Sequence, residues 1–164
     1  MWYTMNVVNL FIDRMVDMET EPIKNIKKIL VGADDSEDAQ LAFRVAMRRA
    51  LDLNATLCIT SILESDEMNV FQALSADYVH GERQELEKHV EEYRKIALKA
   101  GIKRVEVVIA EGDAGETIIK RVIPKVEPDL LIIGALSKKG VKKFFGSQAA
   151  YMAKNSPISV LVVR

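Results

Sequence analysis

Leu130-Leu131-Ile132-Ile133 is an uninterrupted apolar run. A strand with one wet face alternates apolar and polar residues, so a run of this kind has to be covered on both faces. Strands at the centre of a parallel sheet read in this way. Parallel neighbours cannot be joined by hairpins; each needs a crossover, usually a helix. The rest of the chain supplies those parts. Lys28 to Gly32, Thr56 to Leu63, Val105 to Ala110 and Ile158 to Val163 read as four further strands. Helical patterns separate them, which predicts right-handed crossovers and a five-stranded doubly wound parallel sheet of the α/β class.

The helices show themselves by spacing and by their ends. From Glu37, Leu41, Val45, Ala46, Leu51 and Leu53 recur at helical intervals, with Arg44, Arg48 and Arg49 on the other face. A charge-dense segment from about Gln72 to Ala100 carries Leu86, Val90, Tyr93, Ile96, Ala97 and Ala100 on one face, and Gly101 suits the position that follows a helix. Asp113 with Glu116 reads as the start of a third helix near Gly115, and Pro124 predicts its end near Ile123, with Pro128 reinforcing the stop. Ser147 to Lys154 reads as the last helix, ended by Pro157.

With 164 residues the chain suits one domain and a possible appendage. Lys and Arg number 23 against 24 Asp and Glu, so no net field recruits nucleic acid or an anionic membrane. The longest apolar-rich stretch, Val7 to Ile12, is far shorter than the ~20 residues of a membrane span. Neither a basic lead-in nor a small-residue cleavage site marks a signal peptide. The single cysteine, Cys58, lies in an apolar strand and suits a reducing compartment, so the expectation is a cytoplasmic protein without a disulfide.

In doubly wound sheets ligands sit beyond the carboxyl ends of the strands, where strand order reverses. The loop after the fourth strand runs from Gly134 through Ser137, Gly140 and four lysines to Gly146-Ser147, where a helix begins. Glycines permit close backbone approach, and the free amides of a helix start attract anions. Phosphate binding and a merely solvated basic loop are both compatible with that pattern.

Here the residues become specific. Lys27-Lys28-Ile29-Leu30-Val31-Gly32-Ala33-Asp34-Asp35-Ser36, the loop from Gly134 to Ser147 and the ending Ser156 to Val163 resemble the universal stress proteins, over roughly residues 26–164. In the nucleotide-binding branch of that family the fourth strand is followed by a glycine, two residues, a second glycine, nine residues, then Gly-Ser. Gly134 and Gly146-Ser147 match. Ser137 stands where the second glycine is expected, and eight residues, not nine, separate it from Gly146.

The resemblance implies a Rossmann-like sheet of the adenine nucleotide alpha hydrolase type, with strand order 3-2-1-4-5. It implies a regulatory stress-response domain that binds ATP or another adenine nucleotide, with Mg²⁺ arriving on the phosphates, and a homodimer joined through the last strand. Gly32, Ala33, Asp34 and the backbone around Ile62 would face adenine and ribose. Gly134, Ser137, Gly146, Ser147 and Gln148 would surround the phosphates. Asp34 reads equally as a residue that satisfies amides at a helix start. The alternative is the family's non-nucleotide branch, a dimeric interaction module whose altered loop no longer holds phosphate.

Other chemistries lack their residues. There is no G-x-x-x-x-G-K-[ST] phosphate loop and no G-x-G-x-x-G after the first strand. The Ser-Gly-Gly-x-Asp-Ser loop of ATP pyrophosphatases is missing. Asp34-Asp35 is similar to the acidic pair of response-regulator receivers, but the partner aspartate and lysine have no counterparts at the required strand ends. His80 and His89 fall in the charged second helix and read as surface residues; Ser147 is not in a nucleophile elbow. No catalytic residue and no metal site emerges, and the expectation is a protein that acts through bound nucleotide, not turnover. Slow hydrolysis is left open.

Residues 1 to about 25 lie outside the resemblance. Met1, Met5, Val8, Ile12 and Met15 could form one apolar helical stripe, Val7 to Ile12 could equally form a strand, and Met18 could be the true start.

Overall fold

The computed structural model describes residues 25–34, 36–64, 76–135 and 146–164. Five strands form one parallel sheet: β1 Lys28–Gly32, β2 Thr56–Leu63, β3 Val105–Glu111, β4 Leu130–Gly134 and β5 Ser159–Val163. Their order is β3-β2-β1-β4-β5, as the family resemblance implied. The apolar run of β4 lies between β1 and β5, and Leu131, Ile132 and Ile133 are buried. Each such side chain contributes about 1.5–3 kcal/mol by leaving water.

Helices cover both faces. On one, α1 (Glu37–Leu53) and α2 (Ala76–Lys99) pack through Ala42, Phe43, Ala46, Val90 and Ala97 against Ile29, Val31, Leu57 and Ile59. The other carries α3, a composite of Ala114–Thr117, Ile118–Val122 and Ile123–Val126, and α4, Ser147–Asn155. Ile118, Val122, Ala149 and Met152 meet Leu30, Cys58, Leu131 and Ile133 there. No described helix is long and apolar enough to cross a membrane.

Three expectations need correction. The stripe of α1 turns small residues inward: Ala39, Ala42, Ala46 and Ala50 are buried with Phe43, whereas Leu51 and Leu53 are exposed. Short side chains let the helix lie close on the sheet, and Leu51 and Leu53 belong to its last turn. On α2, Val90 and Ala97 are buried as expected, but Ile96 is 51% exposed.

The third correction concerns Pro124, which does not end α3. Ile118–Val122 is a π turn, and the N–H of Ile123 reaches back five residues to the Ile118 carbonyl. The wider turn lets Pro124 open a fresh α segment, within its first two residues, where the missing amide hydrogen is not needed. The helix stops at Glu127, in the left-handed region at φ 52°, immediately before Pro128.

Candidate functional site

The sheet reverses its winding between β1 and β4. After β1 the chain crosses to α1 on one face; after β4 it reaches α4 on the other. In sheets of this kind the ligand crevice lies above two such strand ends. Gly32 ends β1, and the next amide, Ala33 N, continues the ladder to the Thr60 carbonyl at 2.8 Å. Because Gly32 pairs with Thr60, β2 overhangs β1 by Ser61, Ile62 and Leu63, so half-buried Ile62 stands above the end of β1.

Asp34 is exposed and works locally, its Oδ1 accepting from Ser36 N at 2.7 Å. Ser36 in turn caps α1, its Oγ accepting from Ala39 N at 3.1 Å. The helix-start reading of Asp34 is therefore realised, with one Asp34 carboxylate oxygen turned to the amide of the cap residue.

On the β4 side, Gly134 is held by space. A Cβ added there would lie 2.7 Å from both Ala39 N and the carbonyl carbon of Asp38, so any side chain would collide with the first turn of α1. Ala135 N donates to the Val163 carbonyl at 2.8 Å, and Gly146 N donates to the Ala135 carbonyl at 2.9 Å. The chain thus leaves the end of β4 and returns to the same point. Ser137, Gly140 and the loop lysines lie in residues 136–145, outside the described residues, as do Asp35 and the N-terminal stripe.

Gly146 is the N-cap of α4, at φ −60° and ψ 147°, and as a glycine it brings no capping side chain to the helix's first amides. That conformation is open to most residues, so the value of glycine here is close approach and not an unusual φ. Exposed Ser147 follows. The contrast with the other described caps is direct: Ser36 closes α1 and Asp113 closes the start of α3 with a side-chain oxygen, while the cap of α4 carries no side chain.

Gln148, placed among the phosphate residues by resemblance, is engaged elsewhere. Its Nε2 donates to Asp113 Oδ2 at 2.7 Å and its Oε1 accepts from Gly115 N at 2.6 Å. These bonds tie the first turn of α4 to the first turn of α3. They also hold the Asp113 carboxyl below the usual carboxylate range, Gln148 being the larger cause and the amide of Glu116 the next. Sequence reading found Asp113 as a cap but missed its partner, because the two are far apart in the chain and neither forms a motif.

Burial, with Glu106 adding to it, pushes the Cys58 thiol up to about 12, so it is a packed, protonated side chain at neutral pH. His80 is exposed, and His89 is half-buried with its ring edge-on to Tyr93 at 4.9 Å, deeper than a surface residue. Among the described residues no group of three or more His, Cys, Asp or Glu could hold a metal ion.

Comparison with known proteins agrees with this architecture. The sequence profile of the universal stress protein family matches residues 25–164. A Staphylococcus saprophyticus protein assigned to the universal stress proteins is 28% identical over 139 residues, covering 84% of this chain and 83% of its own length. The solved structure of universal stress protein UspA from Lactobacillus plantarum superposes with a TM-score of 0.76 at 21% identity, over 87% of this chain and all of that one. A universal stress protein solved in complex with cAMP superposes with a TM-score of 0.66 at 23% identity, over 86% of this chain and 99% of that one.

Proposed function

This chain belongs to the universal stress protein family, and from that premise we propose that it is a regulatory domain that binds an adenine nucleotide above the ends of β1 and β4. The observation that carries the reading is the start of α4. Its amides have no side-chain cap, and it is stitched to the end of β4 by the bond from Gly146 N to the Ala135 carbonyl. Amides at a helix start that no cap side chain takes, with the positive end of the helix dipole behind them, are a receptor for phosphate oxygens.

Adenine and ribose would lie against Ala33, Asp34 and the overhanging Ile62, and the phosphates would run along Gly134, Ser137, Gly146 and Ser147. ATP is the expected ligand, with Mg²⁺ carried on its phosphates. A relative of the same fold holds cAMP, which supports the adenine class. In this reading signalling follows occupancy and not turnover, with the Asp34 carboxylate engaged at the Ser36 amide. The Ser137 replacement and shortened loop favour one second reading, a dimeric interaction module in which phosphate is no longer held.

Denaturing the protein as purified from cells and analysing the supernatant by chromatography tests the proposal. Adenine nucleotide should be released, and millimolar Mg-ATP should raise the melting temperature. A ligand at a hundred times its Kd stabilises the fold by about 2.7 kcal/mol. No released nucleotide and no thermal shift with Mg-ATP or cAMP would transfer the conclusion to the interaction module.

A further inference from the structure

At the far side of the sheet from β5, β3 is an edge strand: among the described strands it pairs with β2 alone. Its ladder fixes which backbone groups remain. Leu57 N donates to the Arg104 carbonyl at 3.0 Å, and Gly112 N donates to the Leu63 carbonyl at 3.0 Å, so even-numbered positions face β2. The N–H and C=O groups of Val105, Val107 and Ile109 therefore turn outward. Glu111 obeys the same alternation, and its outward carbonyl accepts from Arg121 Nη1 at 3.0 Å.

A groove of about 330 Å³ follows this edge at Val108 to Glu111. One wall is Arg83 of α2, the other Arg121, Val122 and Lys125 of α3. Its lining thus holds three cations against one carboxylate, Glu111. Arg83 also pairs with Glu87 at 3.2 Å, an exposed i,i+4 contact of the kind worth only a few tenths of a kcal/mol and readily exchanged. Glu106, the other acid of the strand, is held by Lys28 at 3.2 Å.

We propose that this groove is a docking site for an extended, acidic segment of a partner protein, which adds to the sheet as a strand beside β3. Main-chain pairing would satisfy the outward groups of Val105, Val107 and Ile109, and carboxylates on the incoming segment would meet Arg83, Arg121 and Lys125. The half-buried apolar side chains of β3 would lose their remaining exposure. A second copy of this edge is a poorer occupant because it would bring the same cations together. A compact anion would leave the strand edge unpaired. The inference is independent of the nucleotide site, which lies at β1 and β4.

Fluorescence anisotropy on the full chain tests it with a labelled peptide of alternating Glu and Val, its Lys-for-Glu counterpart, and the acidic peptide with a central proline. Hydrogen exchange of the β3 amides is read in parallel. The acidic peptide should bind, the Lys and proline peptides should bind at least about tenfold more weakly, and exchange at Val107 and Ile109 should slow on binding. Arg121→Glu with Lys125→Glu, both exposed, should raise the Kd about tenfold or more at unchanged melting temperature. Equal binding of the proline peptide overturns the proposal without recourse to any variant. So do displacement of the peptide by millimolar succinate or phosphate with no change in β3 exchange, absence of binding, and β3 amides already protected in the peptide-free protein, which would mean that the chain covers its own edge.

Discussion

Gln148 reaches from the first turn of α4 to Asp113, donating Nε2 to the carboxylate at 2.7 Å while its own carbonyl accepts from the buried Gly115 at 2.6 Å. The contact fixes where the open start of α4 points. Gln148→Ala would leave the Gly115 amide without its acceptor, at a cost of about 1–3 kcal/mol. Chemical denaturation at pH 7 measures the loss. A change near zero would show that water replaces the side chain and that the bridge does not position the helix.

The same pair predicts a pH effect. The folded-state pKa of Asp113 lies below its ordinary value, so the unfolded chain binds the proton more readily. The stabilisation is fully present above the ordinary carboxylate range of about 4 and is lost as pH falls through the lower, folded value. Asp113 is exposed, so the effect is small. Comparing unmodified chain with Asp113→Asn from pH 7 down to about 2.5, the gap in stability should narrow as acid is added; a constant gap contradicts the assignment.

Gly134 and Gly146 belong to one loop pattern but should fail differently. Gly134→Val drives a side chain into the backbone of Asp38 and Ala39, so it should destabilise the fold by several kcal/mol. Gly146→Val keeps φ −60° and ψ 147°, which valine tolerates, so the melting temperature should hold. Nucleotide affinity should drop about tenfold or more because a branched side chain blocks backbone approach. Lys138→Ala should cost less, a single lysine charge in water being mostly screened. Calorimetric titration with Mg-ATP ranks the two, and a larger loss at Lys138 would replace the backbone cradle with a charge-driven site.

How far the residues alone led is visible in particular places. Leu130 to Ile133 announced a central parallel strand because covering both faces leaves no freedom in residue type. Strand order came from the family resemblance, since spacing along the chain says nothing about which strands become neighbours. Periodicity could not show that α1 would bury alanines in preference to Leu51 and Leu53, because both sets recur at helical intervals and only the distance to the sheet decides between them. Pro124 misled because a π turn is a backbone solution with no residue signature. In the site, glycine identity located the helix start at Gly146, yet the reason for each glycine needed coordinates. The Gln148 bridge, made between two helix starts far apart in the chain, left no local trace.

Thr60 is fully buried, and its hydroxyl has no hydrogen-bond partner among the described residues. Leaving such a group unsatisfied costs about 1–3 kcal/mol, and valine has nearly the same shape. Thr60→Val should therefore stabilise the protein by about 1 kcal/mol, measured by urea denaturation. Destabilisation would reveal an internal water or ligand on that hydroxyl.

The last prediction concerns β5, where we expect two copies to pair into a homodimer. Ala135 N bonds to the Val163 carbonyl, so odd-numbered residues of β5 face β4 and even-numbered ones turn outward. Ser156 already serves one of the outward positions: its Oγ accepts from Ile158 N at 3.2 Å and donates to the Ile158 carbonyl at 2.9 Å. Among the described residues, what remains are the backbone groups of Val160 and Val162, with Leu161 still 36% exposed. Unlike β3, whose edge carries glutamates and is flanked by arginines, Ser159–Val163 contains no charge and no proline. An unguarded apolar edge invites antiparallel pairing with its own copy about a two-fold axis. Val162→Pro tests this cleanly, because the amide it removes turns away from β4 and proline is tolerated on a sheet edge. Its dimer dissociation constant should rise about tenfold or more, with the monomer still folded by circular dichroism. Sedimentation equilibrium on the unmodified chain at micromolar concentration should give twice the 18.4 kDa monomer mass; a monomer there, or a variant that dimerises equally well, removes β5 as the seam.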